Sequence, residues 1–132
     1  MILLDTNICA YFVSRRFPSV TQRFQQSDPQ DLCISSIVAA ELAYGVANST
    51  RIESNRLALK DFLSLVHVIP WDERAIWLYA EQKTKLWRSG TKIGELDLLL
   101  GCQALALDAV FVTNNTREFE RVEGLKLENW AA

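Results

Sequence analysis

Short apolar runs that end in polar or turn-forming residues recur along the chain, and each is typical of a buried β-strand. The predicted strands cover residues 2–4, 32–34, 67–69, 110–112 and 125–127. Longer stretches between them carry apolar residues every three or four positions, which predicts helices packed by one face. These helices cover residues 8–12, 36–47, 51–65, 72–87 and 95–107, with one more helical turn at 117–121.

Strands and helices alternate along the chain, and this order decides the fold class. Strands joined by helices of about ten or more residues form βαβ units with right-handed crossovers and a parallel sheet. A chain of 132 residues has the length of one domain. We therefore predict an α/β fold with a single domain over residues 1–132, in which a mostly parallel twisted sheet is flanked by helices.

Charge and cysteine content restrict the classes of function. The chain carries 14 Lys and Arg residues against 16 Asp and Glu residues, a net charge of −2. Any nucleic-acid site must therefore be a local basic patch. Cys9, Cys33 and Cys102 have neither zinc-site nor disulfide-framework spacing. The chain shows no basic leader and no run of 18 apolar residues, which predicts a reduced cytoplasmic protein without a membrane span.

Three acidic residues are candidates for one common site. Asp5 and Asn115 follow predicted strands, and ligand sites of parallel sheets lie beyond the carboxyl ends of the strands. Glu41 lies in the helix after the second strand. Asp97 lies in the first turn of a leucine-rich helix, where a carboxylate needs an ionic partner. The three acids would form an all-oxygen set suited to Mg²⁺ or Mn²⁺ and to phosphodiester hydrolysis, although helix capping and solvation remain alternatives.

Polar residues beside these acids have two interpretations each. Thr6 and Asn7 either hydrogen-bond the Asp5 carboxylate or a phosphate, or they only cap the following helix. Thr113 either positions water or phosphate, or it is a turn residue. His67 is the only histidine and lies on a predicted strand away from the acids. Catalysis by a histidine-activated nucleophile is therefore not expected.

Tryptophans and basic clusters are the candidate RNA contacts. The tryptophans are Trp71, Trp77, Trp87 and Trp130, and the basic clusters are Arg15, Arg16 and Arg23, and Lys83, Lys85, Arg88 and Lys92. An indole can stack on a base and a basic side chain can contact a phosphate. Packing in the core or at a subunit interface is the alternative for the tryptophans, and a solvated helix face is the alternative for the basic residues.

Motifs spread along the whole chain resemble those of one nuclease family. They are Leu3-Leu4-Asp5-Thr6-Asn7, Cys33-Ile34-Ser35-Ser36, Glu41-Leu42, Tyr44-Gly45, Gly90-Thr91, Gly94, Asp97, Ala104, Val112-Thr113-Asn114-Asn115, Arg117-Glu118-Phe119-Glu120, Gly124 and Trp130. In this order they resemble bacterial PIN-domain toxins of the VapC type. The resemblance places the family's first metal-site aspartate on Asp5, its helix glutamate on Glu41 and its third acid on Asp97.

The resemblance also implies an activity and partners. It implies a Mg²⁺-dependent endoribonuclease of a type II toxin–antitoxin system, with Mn²⁺ able to substitute for Mg²⁺. The expected RNA substrate is a tRNA, with the anticodon loop of initiator tRNA as the specific target. The expected partners are a VapB-like antitoxin, in a toxin–antitoxin hetero-oligomer, and a second copy of the chain, in a homodimer.

One position departs from the pattern of many PIN domains. The fourth acidic position, commonly Asp after the fourth strand, falls on Asn115. A neutral amide oxygen is a weaker metal ligand than a carboxylate. Glu118, one helical turn later, is a second weaker candidate that would restore the missing charge.

Two other functions agree with part of this pattern. A phosphatase with an aspartyl nucleophile would also begin with a strand and Asp5, but it normally needs a second Asp at the position of Asn7. A catalytically weak PIN scaffold that only binds RNA or protein is the other alternative, and Asn115 motivates it. Retention of all three acids argues against it.

Overall fold

The computed structural model describes all 132 residues, which form five strands and seven α-helices. In chain order the elements are β1 Ile2–Leu4, α1 Thr6–Ser14, α2 Pro18–Gln26, β2 Leu32–Ser35, α3 Ser36–Ala47, α4 Ile52–Leu63, β3 His67–Ile69, α5 Ile76–Arg88, α6 Glu95–Ala106, β4 Val110–Val112, α7 Thr116–Phe119 and β5 Lys126–Glu128. Every predicted strand is present to within one residue. The α/β fold class is confirmed.

Capping residues explain where several helices begin. Ser35 accepts a hydrogen bond from the backbone N–H of Ile37 at 3.1 Å and starts α3 where the sequence predicted. Asp72 caps only a short 3₁₀ turn, so α5 begins at Ile76, later than predicted. The pattern also missed α2, because Val20 and Phe24 are its only buried residues and form too short an apolar stripe.

The sheet is parallel throughout, with the strand order β3-β2-β1-β4-β5. The chain moves outward from β1 to β3 and then crosses back to place β4 on the other side of β1. The strand order therefore reverses between β1 and β4. In open α/β sheets this reversal opens a crevice beyond the carboxyl ends of the two strands, where ligands bind. Asp5 follows β1 and Thr113 follows β4, so both lie at this crevice.

A core of buried side chains fills the space between the sheet and its helices. Leu3, Leu4 and Phe111 on the two central strands are fully buried. Phe12 stacks on Phe24 with ring centroids 3.9 Å apart, which joins α1 to α2. No helix of the chain has both the length and the apolar character needed to cross a membrane.

The three cysteines belong to this packing, as predicted, and form no disulfide. Burial raises the pKa of the Cys9 thiol, and it raises the pKa of Cys102 to about 11. A thiol that stays protonated at neutral pH is a poor nucleophile. The cysteines are therefore structural.

Candidate active site

Asp5 is held rigidly at the end of β1. Its Oδ2 atom accepts a 2.7 Å hydrogen bond from the Thr113 hydroxyl, and its Oδ1 atom accepts one of 2.8 Å from the backbone N–H of Thr6. Only 7% of the residue is exposed, and this burial raises the pKa of the carboxyl even though both hydrogen bonds oppose the rise. The strand end thus presents a carboxylate whose orientation is already fixed.

Glu41 joins Asp5 through Thr6. The Thr6 hydroxyl donates to Oε1 of Glu41 at 2.9 Å, while its backbone N–H donates to Asp5. Thr6 therefore orients two carboxylates at once. The Thr113 side chain is fully buried, and its hydroxyl donates to Asp5 while it accepts from the backbone N–H of Asn115 at 2.9 Å.

Glu118 and Asp97 form the other half of the cluster. Glu118 accepts from the backbone N–H of Gly94 at 2.9 Å and from the side-chain amide of Asn115 at 2.7 Å. Gly94 lies against both acids, since a Cβ built on it would be 3.3 Å from Asp97 Oδ2 and 3.6 Å from Glu118 Oε1. A Cβ at this position would therefore crowd the Asp97 carboxylate and would be in ordinary van der Waals contact with Glu118.

The four carboxyl groups influence one another electrostatically. Burial raises the pKa of Asp97 to about 7, helped by a hydrogen bond to Glu118 and by the negative charges of Glu118, Asp5 and Glu41. The hydrogen bond from the Gly94 backbone lowers the pKa of Glu118. Of this pair, Asp97 is therefore the group that takes up a proton first as the pH falls. Mutual influence of this kind shows that the acids share one region of negative potential.

The donor set fits a hard divalent cation. All four side chains offer carboxylate oxygens, the ligands that Mg²⁺ and Mn²⁺ prefer. None of the four takes part in an ion pair with Lys, Arg or His, because every ion pair of the chain lies elsewhere. As they stand, no three Asp, Glu, His or Cys side chains lie close enough together to hold an ion. Coordination therefore requires these side chains to draw together.

The remaining candidate residues have different positions. The Asn7 side chain is exposed and hydrogen-bonds none of the acids. The amide nitrogen of Asn115 is directed at Glu118. Glu118 thus accepts hydrogen bonds from both Gly94 and Asn115, although the sequence indicated it only as a weaker candidate ligand. The backbone N–H of Gly94 as a hydrogen-bond donor to Glu118 was not predicted from the sequence. The only signal for it was a glycine directly before the predicted start of α6.

A concave surface outside the acidic cluster is lined by residues of three helices. It is a groove of about 460 Å³ between α1, α3 and α4. Most of its lining is apolar: Ala10, Val13, Leu42, Val46, Ala58 and Leu59. Leu42 directly follows Glu41, so the groove and the acidic cluster share helix α3.

Comparison with known proteins agrees with this architecture. Residues 2–125 match the PIN domain family. The chain is 40% identical to Ribonuclease VapC2 of Rickettsia felis over 129 residues, which cover 97% of this chain and 96% of that protein. It is 36% identical to the tRNA(fMet)-specific endonuclease VapC of Shigella flexneri over 129 residues, which cover 98% of this chain and 97% of that protein.

A solved structure extends the similarity to three dimensions. The structure of VapBC2 from Rickettsia felis bound to a promoter DNA fragment contains a chain that superposes on this one with a TM-score of 0.89. The two chains are 39% identical, and the match covers 98% of this chain and 99% of the other. Because sequence and fold agree over nearly the whole length, the chain belongs to the PIN-domain family, among its VapC ribonucleases.

Proposed function

We propose that this chain is the Mg²⁺-dependent endoribonuclease of a toxin–antitoxin pair and that it cleaves initiator tRNA in the anticodon loop. The observation that carries the proposal is the cluster of four carboxyl groups without a cationic partner at the reversal of strand order. Such a cluster suits a divalent ion and the phosphate that the ion attracts. The reaction takes place in the cytoplasm, where tRNA is found.

Asp5, Glu41, Asp97 and Glu118 would hold the ion. When bound, it supplies an activated water molecule and positive charge for the scissile phosphate. Thr113 and Thr6 keep the carboxylates of Asp5 and Glu41 in place. Asp97 would hold the ion as a carboxylate, so its proton would be lost on metal binding.

The substrate assignment rests on similarity and on the way proteins recognise RNA. The Shigella flexneri relative is named a tRNA(fMet)-specific endonuclease, and it is similar over nearly the whole chain. Proteins recognise specific RNA sequences mainly in single-stranded loops, whose bases are unstacked. An anticodon loop is such a target, so we propose it as the site of cleavage.

Incubation of the purified protein with initiator tRNA and, separately, with elongator methionine tRNA tests this function. We expect Mg²⁺ or Mn²⁺ to support cleavage of the initiator tRNA within the anticodon loop, and EDTA to stop it. Sequencing of the fragment ends locates the cut. Binding without fragments in either metal would favour the binding-module alternative and would contradict the proposed enzyme.

An antitoxin is the proposed protein partner, as in the VapBC structures. We propose that one apolar segment of it lies in the groove between α1, α3 and α4. From there it would pass Glu41 and place a basic side chain among the carboxylates, where an arginine can pair with two oxygens. Occupation of the site by that side chain would exclude the metal ion.

A charge placed in the groove should separate antitoxin binding from catalysis. We expect Ala58→Asp to weaken binding of the small protein encoded beside this chain by at least about tenfold, because an apolar contact would bury an unpaired carboxylate. Cleavage of tRNA by the free variant should be unchanged. Copurification and a tRNA cleavage assay measure the two effects.

Ser54→Asp is the matched control, because it adds the same charge to α4 at an exposed residue outside the groove. The control should bind the antitoxin like the wild type. Equal binding by Ala58→Asp and the wild type would place the antitoxin on another surface.

A further inference from the structure

The C-terminal end of α5 presents an exposed indole in a basic segment. Trp87 is 84% exposed. Residues 83–92 contain four basic residues and no acidic one, in a chain whose net charge is −2. Lys83 pairs with Glu95 and Lys85 with Glu123, whereas Arg88 and Lys92 form no ion pair. An open aromatic face therefore lies beside two uncompensated positive charges.

This basic segment continues directly into the acidic site. Trp87 and Lys92 line a cavity of about 320 Å³, which also contacts Ile93 and Glu95 at the start of α6. Gly94, between these two residues, donates to Glu118. Lys92 is two residues from Gly94, a distance of at most about 7 Å along an extended chain. The rim of the cavity and the carboxylates are therefore next to each other.

The connection between α5 and α6 is ordered by its own contacts. Gly90 has a positive φ of 70°, and the N–H of Thr91 donates to the carbonyl of Leu86 at 3.0 Å, which ends α5 in a Schellman turn. The Arg121 guanidinium donates to the carbonyl of Lys92. The backbone around the indole is thus fixed before any ligand arrives, which lowers the entropic cost of binding.

We propose that Trp87 is a stacking platform for an unpaired base next to the cleaved bond, and that Arg88 and Lys92 bind the flanking phosphates. This inference rests on the proposed ribonuclease function. RNA matches both features, because a splayed base stacks on an exposed ring and its phosphates meet the positive charges. A second copy of the chain matches less well, since a two-fold contact centred on Trp87 would place the basic segment against itself.

Substitution of the indole tests the stacking role. We expect Trp87→Ala to raise KM for tRNA cleavage about tenfold with little change in kcat, since stacking contributes to RNA binding rather than to chemistry. Trp87→Phe should recover most of the loss because it keeps an aromatic face. Trp77→Ala is the matched control: Trp77 lies on the same helix, is 77% exposed and is outside the cavity. Its KM should equal that of the wild type.

Salt dependence tests the phosphate contacts. The double variant Arg88→Ala/Lys92→Ala should reduce the slope of log affinity against log salt concentration by about 1.4, because each contact to single-stranded RNA contributes about 0.7. Anisotropy of a labelled anticodon stem-loop, measured in the non-cleaving Asp5→Asn background, gives this slope. An unchanged slope would remove both residues from the RNA interface.

Three results would overturn the stacking role. The first is a Trp87→Ala enzyme with wild-type KM. The second is light scattering that shows a wild-type dimer and a Trp87→Ala monomer, which would make the indole a subunit contact. The third is an equal increase in KM in the Trp87→Ala and Trp77→Ala variants. A wild type that binds the stem-loop without cleaving it would contradict the proposed nuclease alone, and the binding affinity of Trp87→Ala would then decide the stacking role.

Discussion

The Asp97→Asn variant is expected to lose RNA cleavage and to gain stability in the absence of metal. Loss of a charged ligand should lower the cleavage rate by more than about 100-fold, the upper end for residues that only support a metal ligand. The stability gain follows because the Asp97 carboxylate is repelled by Glu118, Asp5 and Glu41, and a neutral amide is not. The amide can still donate to Glu118. Initial cleavage rates and thermal unfolding in EDTA at pH 8 measure the two effects.

Asp5→Asn should lose cleavage to a similar degree, because the charge is lost while the local structure is preserved: the amide oxygen can accept from the Thr6 N–H and the amide nitrogen can donate to the Thr113 hydroxyl. Asp61→Asn on the exposed surface of α4 is the control, and it should change neither activity nor melting temperature. Wild-type cleavage by either site variant would refute the metal-ligand roles. A lower melting temperature for Asp97→Asn would show that the carboxylates do not repel one another.

Metal binding is expected to be strongly pH-dependent between pH 5 and 7. Burial and the neighbouring charges raise the pKa of Asp97 to about 7, so the residue is protonated below that pH. A metal ion binds only the carboxylate form, so binding below pH 7 releases one proton. The apparent association constant should rise about tenfold per pH unit and level off above pH 7. The total change from pH 5 to 7 is about 50-fold, because half of the Asp97 side chains are still protonated at pH 7.

Calorimetric titration with Mn²⁺ in two buffers of different ionisation enthalpy counts this proton directly. In Asp97→Asn, both the proton release and the pH dependence assigned to Asp97 should disappear. Metal binding strengthens as the pH rises, whereas the free energy of unfolding of the metal-free protein should fall. The native state holds the Asp97 proton more tightly than the unfolded chain, so the free energy of unfolding should fall as pH rises from about 4 to 7. A binding constant that does not change over this range would show that Asp97 is already ionised.

The sequence was sufficient to predict the sheet, and it named all four acids as candidate ligands, with Glu118 as a weaker one. Asp5 follows an apolar strand, and Asp97 interrupts a leucine-rich helix, so local pattern already singles them out. Glu41 depended more on the resemblance to a family, because an acid inside a helix is common. Helix α2 was not predicted, because Val20 and Phe24 are its only buried residues and do not form a recognisable apolar pattern.

The central position of Glu118 depends on packing that no local pattern shows. Gly101 on α6 lets Val122 approach so closely that a Cβ on the glycine would be 3.0 Å from a Val122 methyl group. This contact brings the segment after α7 against α6, and with it Glu118 against Gly94 and Asp97. The raised pKa of Asp97 is likewise a property of the assembled site, because its causes are burial and neighbours that are distant in sequence.

The hydrogen bond from Thr113 to Asp5 joins residues 108 positions apart and has a consequence for how the protein is made. During synthesis, Asp5 and Glu41 leave the ribosome long before Thr113 and Glu118 exist. Strand β4 completes the crevice, and the N–H of Thr113 is in turn bonded to the carbonyl of Glu128. A nascent chain or a broken fragment that stops short of residue 128 therefore lacks part of the frame that gathers the acids, even where all four acids are present. Only chains that extend at least to residue 128 should therefore be active. Truncated products should not cleave the RNA of the cell that makes them.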